Sequence, residues 1–350
     1  MLFRDVLSGV IHGELPAEKF SYTTTLNAPG SASFTIDLSP TLRHVTPYTV
    51  VAGGATALYV ERDDRVVWSG LLWNTRPDYA AGTLELACEG WLSYYRSRHY
   101  HATTRFSGVD QAEIARSLLR HAANYGTGSN LGMIRFGDET HDVPRDRTYK
   151  QSERKPIGEA VEQLAAVSNG FDFSFTSEWD GRELWTWFRT HYPATGRERD
   201  ITLEQGRSCD IPTATVGGTS VVTHAYAIGS GDGADQVAAS AGTPSPIFPR
   251  LEAVDTYGDV KEFPTLLAKA EQRVRLGRAP ILLPTIDLHP GGVGLDEFDL
   301  GDALTVIGGY GLVPIDGRFR ITDVAVSVDE NSAESISLTA APREVFGTDE

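Results

Sequence analysis

The sequence predicts a mainly β protein with an α+β segment inserted between two β-rich regions. Three observations carry this. Short alternating runs separated by polar turns fill the first hundred residues, helical spacing sets in at Val109 and again near Pro156, and a β meander closes the chain after Asp302. Strands at such close spacing, with no convincing helix between them, favour a small barrel or sandwich for the first region.

The elements follow in order. Phe34 to Leu38 alternates, and Leu58–Arg62 and Arg65–Trp73 flank Asp63 and Asp64, the pattern of a hairpin with a polar turn. Thr83 to Cys88 is the next strand, after the turn-rich stretch 76–82. Asp110-Gln111-Ala112-Glu113 has the spacing of an N-cap with a reciprocal acid. Ile114, Leu118, Leu119 and Ala122 then recur at helical spacing, and Tyr125-Gly126 supplies a stop. A second helix begins near Pro156, with Ile157, Val161, Leu164 and Val167 on one stripe and Asn169-Gly170 at its end. Phe171, Phe173 and Phe175 alternate next, Asp180-Gly181 turns the chain, and Leu184–Arg189 returns as a strand carrying Trp185 and Trp187. The Gly-, Ala-, Ser- and Pro-rich stretch 229–249 reads as a loop, and Phe263–Leu276 as a helix stopped by Gly277. Strands are expected at 302–307, 319–328 and 335–340.

Composition excludes several classes. Of 350 residues 41% are hydrophobic and 22% charged, the balance of a folded chain. The net charge of −16 argues against a protein that grips nucleic acid through its phosphates. No run of eighteen apolar residues predicts a membrane span, and the first residues lack the layout of a signal peptide. The two cysteines, Cys88 and Cys209, form no metal or redox pair and are expected to be free, structural thiols.

Motifs for chemistry are scarce. The glycine run 126–132 follows a helix, whereas a nucleotide fingerprint follows a strand and opens a helix, so it reads as a helix stop and turn. Ile228 stands where a nucleophile elbow needs glycine. His99 and His101 would share one face of a strand, but no third ligand completes a metal shell. Trp185 and Trp187 share a strand face that could stack on sugar, though a core or interface role is commoner. Arg145, Arg147, Lys150, Arg154 and Lys155, interleaved with acids, read as a solvated loop or an intersubunit salt-bridge contact. No cofactor, metal or catalytic residue is expected.

Charge distribution says more. From residue 290 onward twelve acids face only Arg318, Arg320 and Arg343. The run containing Asp296, Glu297, Asp299 and Asp302 lacks the alternating oxygens and final glutamate of a calcium loop.

The order of elements resembles the tail-hub, or minor tail, proteins of long-tailed bacteriophages, in particular those of actinobacteriophages and the hub that begins tail-associated lysins. The residues behind the resemblance are Tyr48-Thr49-Val50-Val51 through Tyr59-Val60, Val67-Trp68-Ser69-Gly70-Leu71-Leu72, and Ala87-Cys88-Glu89-Gly90-Trp91-Leu92-Ser93-Tyr94-Tyr95. Later come Gly301-Asp302, Gly317-Arg318-Phe319-Arg320-Ile321 and Glu334-Ser335-Ile336-Ser337-Leu338. The resemblance implies two small β-barrel domains with an inserted α+β domain. Its boundaries are 1–100 for the first barrel, 101–205 for the insertion, 206–240 with 280–346 for the second barrel, and 241–279 for a loop-and-helix excursion. It implies a virion protein at the tail tip, assembled in the host cytoplasm and not an enzyme. Such a protein forms a homotrimer whose ring extends the hexameric tail tube. Its implied partners are the hexameric distal tail protein, the tape measure protein and downstream tail-tip or fibre proteins, with DNA only in transit and no stable membrane insertion. Asp296, Glu297, Asp299 and Asp302 are the candidates for lining the channel, because carboxylates repel the phosphates of passing DNA. The competing readings are a carbohydrate-active enzyme on β-domains, with Trp185 or Trp187 at a subsite, and a cell-surface binding module.

Overall fold

The computed structural model describes residues 1–38, 51–167, 169–231, 233, 236–257, 260, 262–309 and 313–343; the quoted Tyr48-Thr49-Val50 and the acids Glu344, Asp349 and Glu350 lie outside them. The chain divides into two units, one of Met1–Arg197, Pro290–Asp302 and Thr322–Leu338, the other of Glu198–His289, Ala303–Ile321 and Thr339–Glu350. Both are rich in strand, as the sequence predicts, with the α+β segment inside the first.

In the first unit the strands are β1 (Leu2–Asp5), β2 (Ile11–Glu14), β3 (Lys19–Thr25), β4 (Ser31–Asp37), β5 (Thr56–Arg62), β6 (Arg65–Asp78) and β7 (Thr83–Gly90). They pair in the order β2-β1-β5-β6-β7-β4-β3, all antiparallel. The β5–β6 turn forms where expected. Asp63 and Asp64 both take positive φ, 50° and 61°, the geometry that matches a two-residue turn to the twist of its strands. Alternation buries Ala57, Tyr59 and Leu71 with Trp91 against Leu131, Met133 and Leu184. The first hundred residues are not purely strand, because Leu92–Arg96 forms one helical turn, α1, whose Tyr95 is buried in the next core.

The inserted layer holds β8 (Thr104–Asp110), α2 (Gln111–Asn124), β9 (Ile134–Phe136), β10 (Pro144–Tyr149), α3 (Ile157–Ala165), β11 (Asp172–Asp180) and β12 (Glu183–His191). β8 pairs with β10, and β12 lies between antiparallel β11 and parallel β9. Asp110 caps α2 as its spacing predicts: its carboxylate accepts from Ala112 N at 2.9 Å, from His141 N at 3.0 Å and from Val143 N at 3.3 Å. Burial pushes this carboxyl up, but the three N–H donors outweigh it and hold it below the usual range. Glu113 does not close the box; it binds Arg116 and Arg120. The periodic residues Ile114, Leu118, Leu119, Ile157, Val161 and Leu164 pack on Phe171, Phe173 and Phe188, so the helical stripe and the strand alternation meet in one core. α3 ends at Ala165, leaving Val167 outside it. The basic stretch expected as a solvated loop is in part a strand, since Arg145 and Arg147 lie in β10 paired with β8.

The second unit contains β13 (Glu198–Glu204), β14 (Cys209–Gly217), β15 (His224–Ile228), β16 (Ala238–Gly242), β17 (Glu252–Thr256), α4 (Phe263–Leu276), β18 (Ile281–Leu288) and β19 (Ala303–Gly308). β20 (Ile315–Val328) gives Ile315–Ile321 to this unit and Thr322–Val328 to the first, where it pairs with β3; β21 (Glu334–Pro342) follows it. β14 pairs with β18, and β19 lies between parallel β13 and antiparallel β20. The stretch 229–249 is not all loop. β16 folds back on β15, β17 adds in parallel on the other side, and α4 covers one face. Small side chains hide this strand in the sequence: Ala238-Ala239-Ser240-Ala241-Gly242 carries no branched or aromatic residue to betray it. Cys88 and Cys209 are free and buried, and burial pushes the Cys209 thiol up to about 11.

Candidate functional site

The four acids proposed for a channel wall fall in one short segment of the first unit, where they divide into two kinds. Asp302 is 1% exposed and bound on both oxygens, accepting from Arg197 N at 2.8 Å and Asp299 N at 2.9 Å. It fastens the segment beside Gly196, whose positive φ of 84° and backbone approach to Gly301 leave no room for a Cβ. Asp302 is therefore a buried structural bracket. Asp296, Glu297 and Asp299 are exposed, with Phe298 buried between them as the anchor. Glu297 accepts from Gly294 N at 2.8 Å, and the return bond from Glu297 N to Gly294 O closes the turn at 3.1 Å. Three carboxylates are thus displayed on a turn that a buried aspartate and a buried phenylalanine hold in place.

The histidines do not share a strand face. His99 makes an isolated bridge to Pro156, while His101 stacks on Tyr125 at 4.0 Å, and its backbone N–H donates to His121 Nε2 at 3.0 Å. Burial, then the charge of Arg154, lowers the His101 pKa; burial, then His101, lowers that of His121. Among the described residues no group of three or more His, Cys, Asp or Glu is placed to hold a metal ion.

Trp185 and Trp187 do share one face of β12, opposite the buried Leu184, Thr186 and Phe188. Each carries a guanidinium: Arg135 stands 3.8 Å from the Trp185 centroid and Arg189 5.2 Å from that of Trp187. These cations cover the rings that a sugar would need for stacking.

A cavity of about 420 Å³ opens beside this hairpin, lined by Trp68, Trp91, Phe173, Ser174, Arg189 and His191 among others. In it Ser174 Oγ lies 3.4 Å from His191 Nε2, and burial lowers the His191 pKa. Asp172, opposite His191 in the β11–β12 register, already accepts from Asn27 Nδ2 at 2.7 Å and Thr195 N at 2.8 Å. The serine–histidine separation exceeds the roughly 2.6–3.2 Å of a nucleophile–base pair. A chain of hydroxyls, Trp91 Nε1 to Ser69 Oγ at 2.9 Å, then Ser177 at 2.7 Å and Thr186 at 2.8 Å, satisfies the polar wall. Sequence reasoning missed these groups because cross-strand register brings them together; only the pairing of 172 with 191 would have shown it.

No family model matches the sequence, and no curated protein does. Solved structures match over almost the whole chain. A tail protein from Neisseria meningitidis is 13% identical with a TM-score of 0.63, covering 99% of this chain and 97% of that one. The 43 kDa tail protein of prophage MuSo2 from Shewanella oneidensis is 11% identical with a TM-score of 0.65, covering 99% of both. Prophage tail protein gp18 from Listeria monocytogenes is 13% identical with a TM-score of 0.57, covering 97% and 93%. The chain has the fold of these tail proteins, while sharing only 11–13% of their sequence.

Proposed function

We propose that this chain is a structural tail-tip hub protein of a long-tailed phage, a trimer whose ring extends the tail tube and joins it to tail-tip or fibre proteins. The observation that carries the reading is the end-to-end likeness of fold to tail proteins of similar extent, with 97% and 99% of the Neisseria and Shewanella chains covered. In this reading the regions 1–100 and 206–240 with 280–346 supply two barrels, and 101–205 and 241–279 are additions to them. The first barrel of one subunit stands beside the second of the next, so that three chains present six similar domains to a hexameric tube. The distal tail protein and the tape measure protein are the neighbours this position implies, on a phage of actinobacteria.

Asp296, Glu297 and Asp299 are the exposed carboxylates that would face DNA in transit. Duplex DNA carries one charge per roughly 1.7 Å of axis, so an acidic or neutral wall lets it slide where a basic one would hold it. Solution mass together with electron microscopy tests the assembly. A ring of three is expected; a monomer at micromolar concentration, or a particle map with six copies at one level, overturns it. Salt-sensitive DNA binding by the purified ring would overturn the acidic wall.

A further inference from the structure

The cavity beside the β11–β12 hairpin meets main-chain groups as well as side chains. Phe173, Ser174, Phe175, Thr176 and Ser177 all line it. Successive strand residues point to opposite faces, so a cavity that meets five in a row runs along the edge of the strand. β11 has such an edge, because it pairs with β12 on one side and with no other described strand. The facing wall comes from Thr24, Leu26 and Pro29 around the β3–β4 turn, and from Trp68, Gly90 and Trp91.

The hairpin turn fixes which main-chain groups look into this space. Gly181 and Arg182 join the strands as a two-residue loop, with Gly181 at a φ of 61°, so Asp180 and Glu183 form a hydrogen-bonded pair. By alternation Ser174 and Thr176 bond to β12, whereas Phe173, Phe175 and Ser177 turn their N–H and C=O outward. Phe173 N accordingly donates to Asn27 Oδ1 at 2.8 Å, outside the sheet. Ser177 is tied through its hydroxyl to Ser69 Oγ at 2.7 Å. Between these two ties the N–H and C=O of Phe175 meet no partner among the described residues.

We infer that the cavity is a binding site for a short extended peptide, one residue of which pairs with Phe175 as an added strand. The N–H and C=O of a strand residue lie on one side of the chain, so a ligand makes both bonds when it has the same arrangement. A single acetamido group, as on an amino sugar, points its N–H and C=O in opposite directions and makes one bond at most. The edge from Phe173 to Ser177 is about 13 Å long, enough for about three residues, and a volume of about 420 Å³ suits a small ligand. The central side chain shares the face of Phe175, which packs on the core holding Trp91, and is therefore apolar; its neighbours fall on the face of Ser174 and Thr176 and are polar. Arg189 is bridged to Glu178 at 3.0 Å, and the one acid in the lining, Asp299, is exposed, so no unpaired cation calls for an anionic ligand. The site lies wholly within the first unit and stands whether or not the chain assembles into a ring.

Titration of the full chain with acetyl-Thr-Val-Thr-amide, by calorimetry and by residue-resolved amide exchange, tests the inference. Saturable binding at about 1 mM or tighter is expected, and at saturation the Phe175 amide exchanges about tenfold more slowly or less, while the Phe173 amide, already held by Asn27, is unchanged. The same peptide methylated on the valine nitrogen keeps every side chain but loses the donor to Phe175 O, and binds about tenfold more weakly or not at all. N-acetylglucosamine is silent. Phe175→Leu keeps the main-chain donor and the binding; Phe175→Pro removes the donor at an edge position where no bond to β12 is lost, and weakens binding by about tenfold or more. Circular dichroism establishes that each variant is folded, and the methylated peptide supplies the same comparison on the wild-type chain. No saturable heat with the wild-type chain, binding that leaves Phe175 exchange unchanged, or equal binding by the methylated peptide or by N-acetylglucosamine would each overturn the inference.

Discussion

Two regions of this molecule build the same motif, helices on a three-stranded sheet, from opposite materials. In the inserted layer α2 and α3 cover β11, β12 and β9 with a core of fifteen buried residues, among them Phe171, Phe173, Phe188, Leu118 and Leu164. In the second unit α4 covers β16, β15 and β17 with six among the described residues, of which Ala225, Ala227, Ala239 and Ala270 are alanines. Burial contributes about 25 cal/mol per Å² of apolar surface, so the first region is held by its own packing and the second has little to draw on. The difference teaches that a shared outline does not imply a shared stability, and it ranks where the chain should yield.

The largest effect belongs to the aromatic core. Phe188 is fully buried on β12 between Phe173 and Phe175, at ring separations of 5.9 and 5.1 Å. Phe188→Ala should cost about 3–5 kcal/mol, read as a fall in the urea midpoint. Among the described residues of this layer, Leu266 on α4 is the one large side chain that is fully buried. Leu266→Ala should fall toward the lower end of the about 2–5 kcal/mol for such losses, because a thin layer collapses more readily. Its signature is local: amide exchange rises in β15–β17 and α4 while β11 and β12 stay protected. Equal loss of protection throughout the chain would break the comparison.

Acid sharpens it further. His101, His121, His141 and His191, all in the first unit, have pKa values lowered chiefly by burial. The unfolded chain takes up protons at the ordinary value of about 6.5, so the folded state binds fewer. The stability these histidines contribute is complete above about pH 6.5 and is lost as the pH falls toward their folded values. Unfolding midpoints between pH 8 and pH 5 should therefore decline, and His141→Gln should flatten the decline. A midpoint that rises on acidification contradicts the assignment.

How much of this was legible depended on side-chain size and on sequence distance. Asp110 with Ile114, Leu118 and Ala122 announced α2, and Phe263–Leu276 announced α4 at its observed ends, because periodicity and caps are local signals. β16 stayed hidden, since alanine, serine and glycine have no strand preference, and β10 was masked by its charges. Among the acids, sequence grouped Asp302 with Asp296, Glu297 and Asp299. What separates it is a bond from Arg197 N, more than a hundred residues away in the chain, which no spacing rule encodes. The same holds for Arg135 over Trp185, a pairing created by the parallel register of β9 and β12.

The smallest expected effects lie at the two helix starts, where the comparison can be run in both directions. Asp110 satisfies Ala112 N at the head of α2 and also binds His141 N and Val143 N. Asp110→Ala should cost about 0.5–2 kcal/mol, near the upper end because two further donors are orphaned, and Asp110→Asn should recover part of it. At the head of α4, Glu262 makes no side-chain cap. Its carboxylate is one methylene too long to turn back on the first turn, so Glu262→Asp should stabilise the helix. The gain is limited, because Pro264 occupies the second helical position and has no N–H to offer, which leaves Thr265 N as the donor within reach. About 0.5 kcal/mol is expected, seen as slower amide exchange in α4 with β11 and β12 unchanged. If Glu262→Asp slowed exchange in both units alike, the α4 layer would share one cooperative unit with the aromatic core, and the ranking drawn from their two cores would fall.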